Sequence, residues 1–89
     1  MLFMVIEHFK DRDALAVYRR AQQGRMLPDG LRYVDSWVEA NFDRCFQLME
    51  RDDARLFQQW VLAWQDLVEF EIVPVVPSAD TNETVAPLS

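Results

Sequence analysis

The stretch Leu31–Glu50, LRYVDSWVEANFDRCFQLME, decides the fold. Val34, Ser36 and Val38 alternate with Tyr33, Asp35 and Trp37. After Ala40–Asp43, a short connection that contains Phe42, Phe46 and Leu48 alternate with Cys45, Gln47 and Met49. Side chains that change sides at every residue mark strands, and two such runs joined by about four residues make a hairpin.

The flanks supply the remaining elements. Upstream, Pro28-Asp29-Gly30 is a turn: proline presets φ, and glycine tolerates a positive one. Leu2–Phe9 is apolar and β-branched, reads as a strand, and is closed by the polar run Lys10 to Asp13. Asp11 and Asp13 are N-cap candidates for a helix whose Ala14, Val17, Tyr18 and Ala21 share one face. Arg19, Arg20 and Gln23 take the other face, and Gly24 stops the helix. Downstream, Asp52 and Asp53 open a second helix with an inner stripe of Leu56, Trp60, Ala63 and Leu67, widened by Phe57 and Trp64. Val68–Val76 is the last strand, with Phe70 and Ile72 on one side and Glu69, Glu71 and Val73 on the other. Pro74 suits an edge strand.

The order strand, helix, hairpin, helix, strand predicts an α+β fold, a ferredoxin-like βαββαβ unit. Two right-handed split crossovers give an antiparallel sheet in the order 4-1-3-2 with both helices on one face. Residues 1–77 form this domain, and 78–89, small and polar, form a flexible tail.

Both faces of the sheet are rich in large apolar groups. Met4, Ile6, Val34, Val38, Phe46, Leu48, Phe70 and Ile72 are expected beneath the helices. Phe3, Val5, Phe9, Tyr33, Asp35, Trp37, Cys45, Met49 and Val73 are then expected on the second face, which is too apolar to remain wet. A homodimer through Phe3, Val5, Tyr33, Asp35, Trp37, Cys45, Met49 and Val73, a dimeric α/β barrel, is the expected solution. Glu7, Asp35 and Glu71 fall on that side by parity and are read as ion pairs at its rim.

Composition narrows the function classes. In 89 residues, 51% are hydrophobic and 12% aromatic, which excludes disorder and implies one domain. A net charge of -6 and a sequence pI near 4.5 argue against nucleic acid as a partner. The single cysteine, Cys45, excludes an internal disulfide and a cysteine zinc cage. The apolar start Met1–Ile6 ends at Glu7, too short for a leader or a membrane span, so a cytoplasmic protein without membrane contact is expected.

The segments MLFMVIEHFK, YRRAQQGRMLPDGLRYVDSW, RCFQLME and DLVEFEIVPVVPS resemble the bacterial family named domain of unknown function 3303, over nearly the whole chain to Ser78. The resemblance implies the dimeric α/β barrel fold and transfers no catalytic residue. The wider superfamily includes monooxygenases, haem-degrading enzymes, muconolactone isomerase-like proteins and ligand-sensing domains, and a shared fold carries none of those activities over.

Chemistry-bearing residues are few. His8, the only histidine, is the one acid/base candidate and by parity joins the helix side. One histidine excludes a histidine metal triad, no other ligand spacing stands out, and neither metal nor cofactor is expected. A small organic molecule is expected between sheet and second helix, lined by Met4, His8, Ser36, Phe46, Trp60 and Trp64. The other reading is a cofactor-independent monooxygenase or isomerase working in the same pocket.

Overall fold

A computed structural model describes residues 1–88. The chain runs β1 (Leu2–Phe9), α1 (Ala14–Ala21), β2 (Arg32–Val38), β3 (Arg44–Glu50), α2 (Arg55–Trp64), β4 (Val68–Val75) and α3 (Ser78–Val85). The strands form one antiparallel sheet ordered β2-β3-β1-β4, the expected ferredoxin-like arrangement.

Local chemistry sets the element ends. At α1, the Asp13 carboxylate accepts from the Ala16 N–H at 3.1 Å. At α2, Asp53 accepts from the Arg55 N–H at 2.8 Å. Each satisfies a donor that the first helical turn leaves without a partner. The Pro28 turn closes with Leu31 N–H donating to the Pro28 carbonyl at 3.1 Å. Gly30 sits third in it at φ +92°, where a Cβ would also stand 3.1 Å from Arg51 Nη1.

Both α1 and α2 cover one face of the sheet. The core joins Phe3, Val5 and Phe9 of β1, Cys45 and Met49 of β3 and Val68 of β4 to Val17 of α1 and Phe57, Trp60 and Trp64 of α2. Phe3 meets Phe57 edge-on at 4.9 Å between ring centroids, and Trp60 meets Phe70 at 5.4 Å. Arg20 ties the helices together, donating to both carboxylate oxygens of Asp66 at 2.7 Å and to the Ala63 carbonyl at 3.2 Å.

The face assignment differs from the sequence expectation. Phe3, Val5, Phe9, Cys45 and Met49, expected on the uncovered side, are buried under the helices. Met4, Ile6, Phe46 and Leu48, expected there, are half-buried on the opposite side. Both sets are apolar in β1 and β3, so alternation separates them without saying which is inside. The pairing settles it: Phe9 stands opposite Val68, Glu7 opposite Phe70 and Val5 opposite Ile72. Residues directly opposite share a face, and β4 has one apolar side and one acidic side.

β2 departs from strict alternation. Tyr33 pairs with Met49 but Asp35 with Leu48, which leaves Val34 as an extra residue. This bulge puts Tyr33 and Ser36 on the helix side together, and their hydroxyls meet at 2.6 Å. Asp35 and Trp37 remain on the uncovered side, opposite Leu48 and Phe46. Val34, expected under the helices, is 41% exposed.

Within the stretch 78–89, read from the sequence as a flexible tail, Ser78–Val85 form a helix, and Ser89 lies outside the described residues. Every residue from Val76 to Leu88 is exposed. No helix among the described residues is long and apolar enough to cross a membrane.

Candidate functional site: the cavity beneath the helices

A cavity of about 240 Å³ lies between the covered sheet face and the two helices. Its apolar wall is Phe9, Val17, Ala21, Trp60 and Trp64, and its polar wall brings Glu7, Cys45, Gln47 and Ser36 up from the sheet. Tyr18, Gln22 and Arg25 complete it from α1 and the chain that follows.

Strand pairing builds the polar wall. Glu7 and Cys45 are register partners across β1 and β3, and Gln47 and Ser36 across β3 and β2. Four polar side chains therefore stand side by side on one face. Glu7 and Gln47 are 5% and 6% exposed, which makes them the buried polar residues of a core otherwise apolar.

Their hydrogen bonds form a chain. Gln47 Nε2 donates to Glu7 Oε1 at 2.7 Å, and Arg25 Nη1 donates to Gln47 Oε1 at 3.2 Å. Arg25 is itself held twice. Its guanidinium lies 4.0 Å from the centroid of the Tyr33 ring, and its carbonyl accepts from the indoles of Trp60 and Trp64 at 3.0 and 3.1 Å. Both tryptophans thus present apolar rings to the cavity while their N–H groups are already engaged.

Burial dominates the electrostatics. It pushes the Glu7 carboxyl up from 4.5 to about 7, against the opposing pull of the Gln47 and Cys45 hydrogen bonds and the Arg25 charge. Burial first, then the neighbouring Glu7, pushes the Cys45 thiol up to about 12. Burial also raises Tyr18. A carboxyl poised near neutrality beside an apolar space can donate or accept a proton there.

The residues expected to line a pocket divide. Ser36, Trp60 and Trp64 line this cavity. Met4, His8 and Phe46 do not, because they belong to the opposite face of β1 and β3. His8 stands at the strand end beside Lys10, Asp11 and Glu69, away from Glu7. Of the residues expected at the sheet-face interface, Asp35, Trp37 and Val73 lie on the uncovered face. Phe3, Val5, Tyr33, Cys45 and Met49 point the other way, because the pairing with β4 and the Val34 bulge reverse them. Sequence reasoning missed Glu7, Gln47, Cys45 and Arg25 as cavity residues. The two-sided polarity of β4, carried across by pairing to β1, was the signal that could have found them.

Among the described residues, no three or more histidine, cysteine or carboxylate side chains gather as a metal cluster. Compared with known proteins, residues 1–89 match the family described as domain of unknown function (DUF3303), and the chain belongs to it. No curated protein and no solved structure matches.

Proposed function

We propose that this member of a family without an assigned activity binds a small, neutral organic molecule in the cavity beneath its helices. One observation carries the reading: an apolar cavity walled by two tryptophans has a single buried carboxyl, Glu7, on its polar side, held in place by Gln47. Apolar walls with a few fixed polar groups are what recognition of a small molecule requires. At about 240 Å³ the space is smaller than the roughly 300–1,000 Å³ of drug-sized sites, which favours a single-ring compound. Its hydroxyl or carbonyl meets Glu7. An anion would face the charge of Glu7 above neutrality.

A second reading rests on the elevated Glu7 pKa. As an isomerase without cofactor, the protein would use the Glu7 carboxylate to take a proton from carbon beside a substrate carbonyl and return it at another position. This is the chemistry that the position of Glu7 favours within the monooxygenase-or-isomerase alternative.

The uncovered sheet face supports a homodimer. Met4, Ile6, Phe46, Leu48, Trp37 and Val73 form its apolar centre, with Trp37 51% exposed.

The binding test uses the three indole N–H signals of a ¹⁵N-labelled protein, titrated with a panel of single-ring phenols and cyclic ketones. Trp60 and Trp64 should shift together while Trp37, on the other face, stays still. Shifts confined to Trp37, or in none of the three across the panel, would remove the cavity as the binding site.

A further inference from the structure

Arg25 differs from the arginines that tie the fold together. Arg20, Arg32 and Arg44 each donate to a carboxylate, whereas among the described residues Arg25 meets none within ion-pair distance. A guanidinium carries five N–H donors, and here one of them is engaged, by Gln47 Oε1 at 3.2 Å. The Tyr33 ring supports the group from one side at 4.0 Å, and the Tyr33 hydroxyl is itself bonded to Ser36. Stacking of that kind leaves the in-plane N–H groups available to an acceptor.

The cavity has two polar poles. Glu7 and Gln47 are buried while Arg25 is exposed, and all three line the space, so the carboxyl stands at its floor and the guanidinium at its mouth. Gln47 spans the interval, donating to Glu7 and accepting from Arg25. The backbone beneath Arg25 is fixed independently of its side chain. Its carbonyl accepts from both Trp60 and Trp64, and positive φ at Gly24 (133°) and Met26 (57°) bends the chain on either side of it. The protein therefore holds a charged donor at the entrance whose bonding capacity its own acceptors leave mostly unused.

We propose that Arg25 is a second ligand anchor: the cavity takes a neutral single-ring compound that carries both a hydroxyl and a separate carbonyl oxygen, the hydroxyl bonding Glu7 and the carbonyl accepting from Arg25. This rests on the cavity being a ligand site and adds the second group that the ligand must carry. A carbonyl accepts a charge-assisted bond without bringing a negative charge near Glu7. A ring lacking that oxygen leaves the guanidinium to water and gains nothing at the mouth.

The test compares probes that differ by one oxygen. The protein is titrated at pH 6, below the titration of Glu7, with 3- and 4-hydroxyacetophenone and with 3- and 4-ethylphenol. Calorimetry gives each Kd, and the Trp60 and Trp64 indole signals show where each compound sits. In at least one ring position the ketone should bind about tenfold more tightly than its ethyl counterpart, the value of one hydrogen bond to a charged group. Arg25→Met keeps the side-chain length and the backbone carbonyl, and should remove that preference by weakening the ketone alone. A parent protein with no ketone preference in either position, or a preference that survives Arg25→Met, overturns the Arg25 anchor. The cavity reading then stands so long as the phenols still move both indole signals; if none of the four compounds moves them, both proposals fall. Indole N–H signals at their parental positions in ligand-free Arg25→Met show that the fold is kept, and the comparison within the parent protein needs no variant.

Discussion

At Glu7 a carboxyl is buried among apolar groups, and a hydrogen bond from Gln47 with the more distant Arg25 only partly offsets the loss of water. Its ionisation therefore couples to folding. Below about pH 4.5 both folded and unfolded chains hold this proton, and the residue has no pH-dependent effect. As pH rises from 4.5 to about 7 the unfolded chain releases the proton first, so stability falls and then levels. The gap corresponds to about 3 kcal/mol. Glu7→Gln should flatten the curve in that window and leave the protein more stable than the parent at pH 8, as read by urea unfolding. Asp66, Asp53 and Glu39 act oppositely. Their arginine partners, through hydrogen bonds, hold them below the usual carboxylate range, so their contribution is lost on acidification. Cys45, buried and with its thiol pushed up to about 12, should resist Ellman's reagent in the native protein and react on unfolding. At this scale the sequence was least legible. Glu7 looked like a rim charge because a buried carboxylate is costly and rare, and only the register with β4 shows that it points inward.

Among the elements, α2 shows how far spacing alone can be read. Phe57, Trp60 and Trp64 were placed on its inner stripe from helical periodicity, and all three are buried. Phe57→Ala should cost about 4 kcal/mol, since a 1% exposed ring leaves a cavity behind. Leu62→Ala, on the outer face of the same helix, should change the stability of the isolated fold by less than about 0.5 kcal/mol. Thermal or urea unfolding of the two variants checks the contrast. β2 marks the limit. Its alternation reads as one regular strand, yet Val34 is a bulge, and nothing in a pattern of period two announces one extra residue. That single residue brings Ser36 back to the cavity side as Tyr33's neighbour. The helix at 78–85 was missed for another reason: its composition is small and polar, with weak amphipathic character, so periodicity offers little to detect.

For the whole molecule, strand order and helix placement followed from element order and crossover handedness, and were read from the sequence. Which sheet face is covered was not, because a protein apolar on both faces of its sheet looks the same to parity from either side. The uncovered face keeps its role in the proposed assembly with a changed cast. Trp37→Asp places a charge among Phe46, Leu48 and Ile6 and should convert a dimer of about twice 10.5 kDa to monomer in light scattering. A parent protein that is already monomeric at micromolar concentration would remove the sheet-face dimer. The cavity reading depends on Glu7 being a carboxyl that still holds its proton well above the ordinary glutamate range, at the wall of an apolar space. Titration of its carboxyl carbon by ¹³C nuclear magnetic resonance measures this most directly: a midpoint near pH 7 is the predicted result, and a midpoint in the ordinary glutamate range, about 4.3, would contradict it.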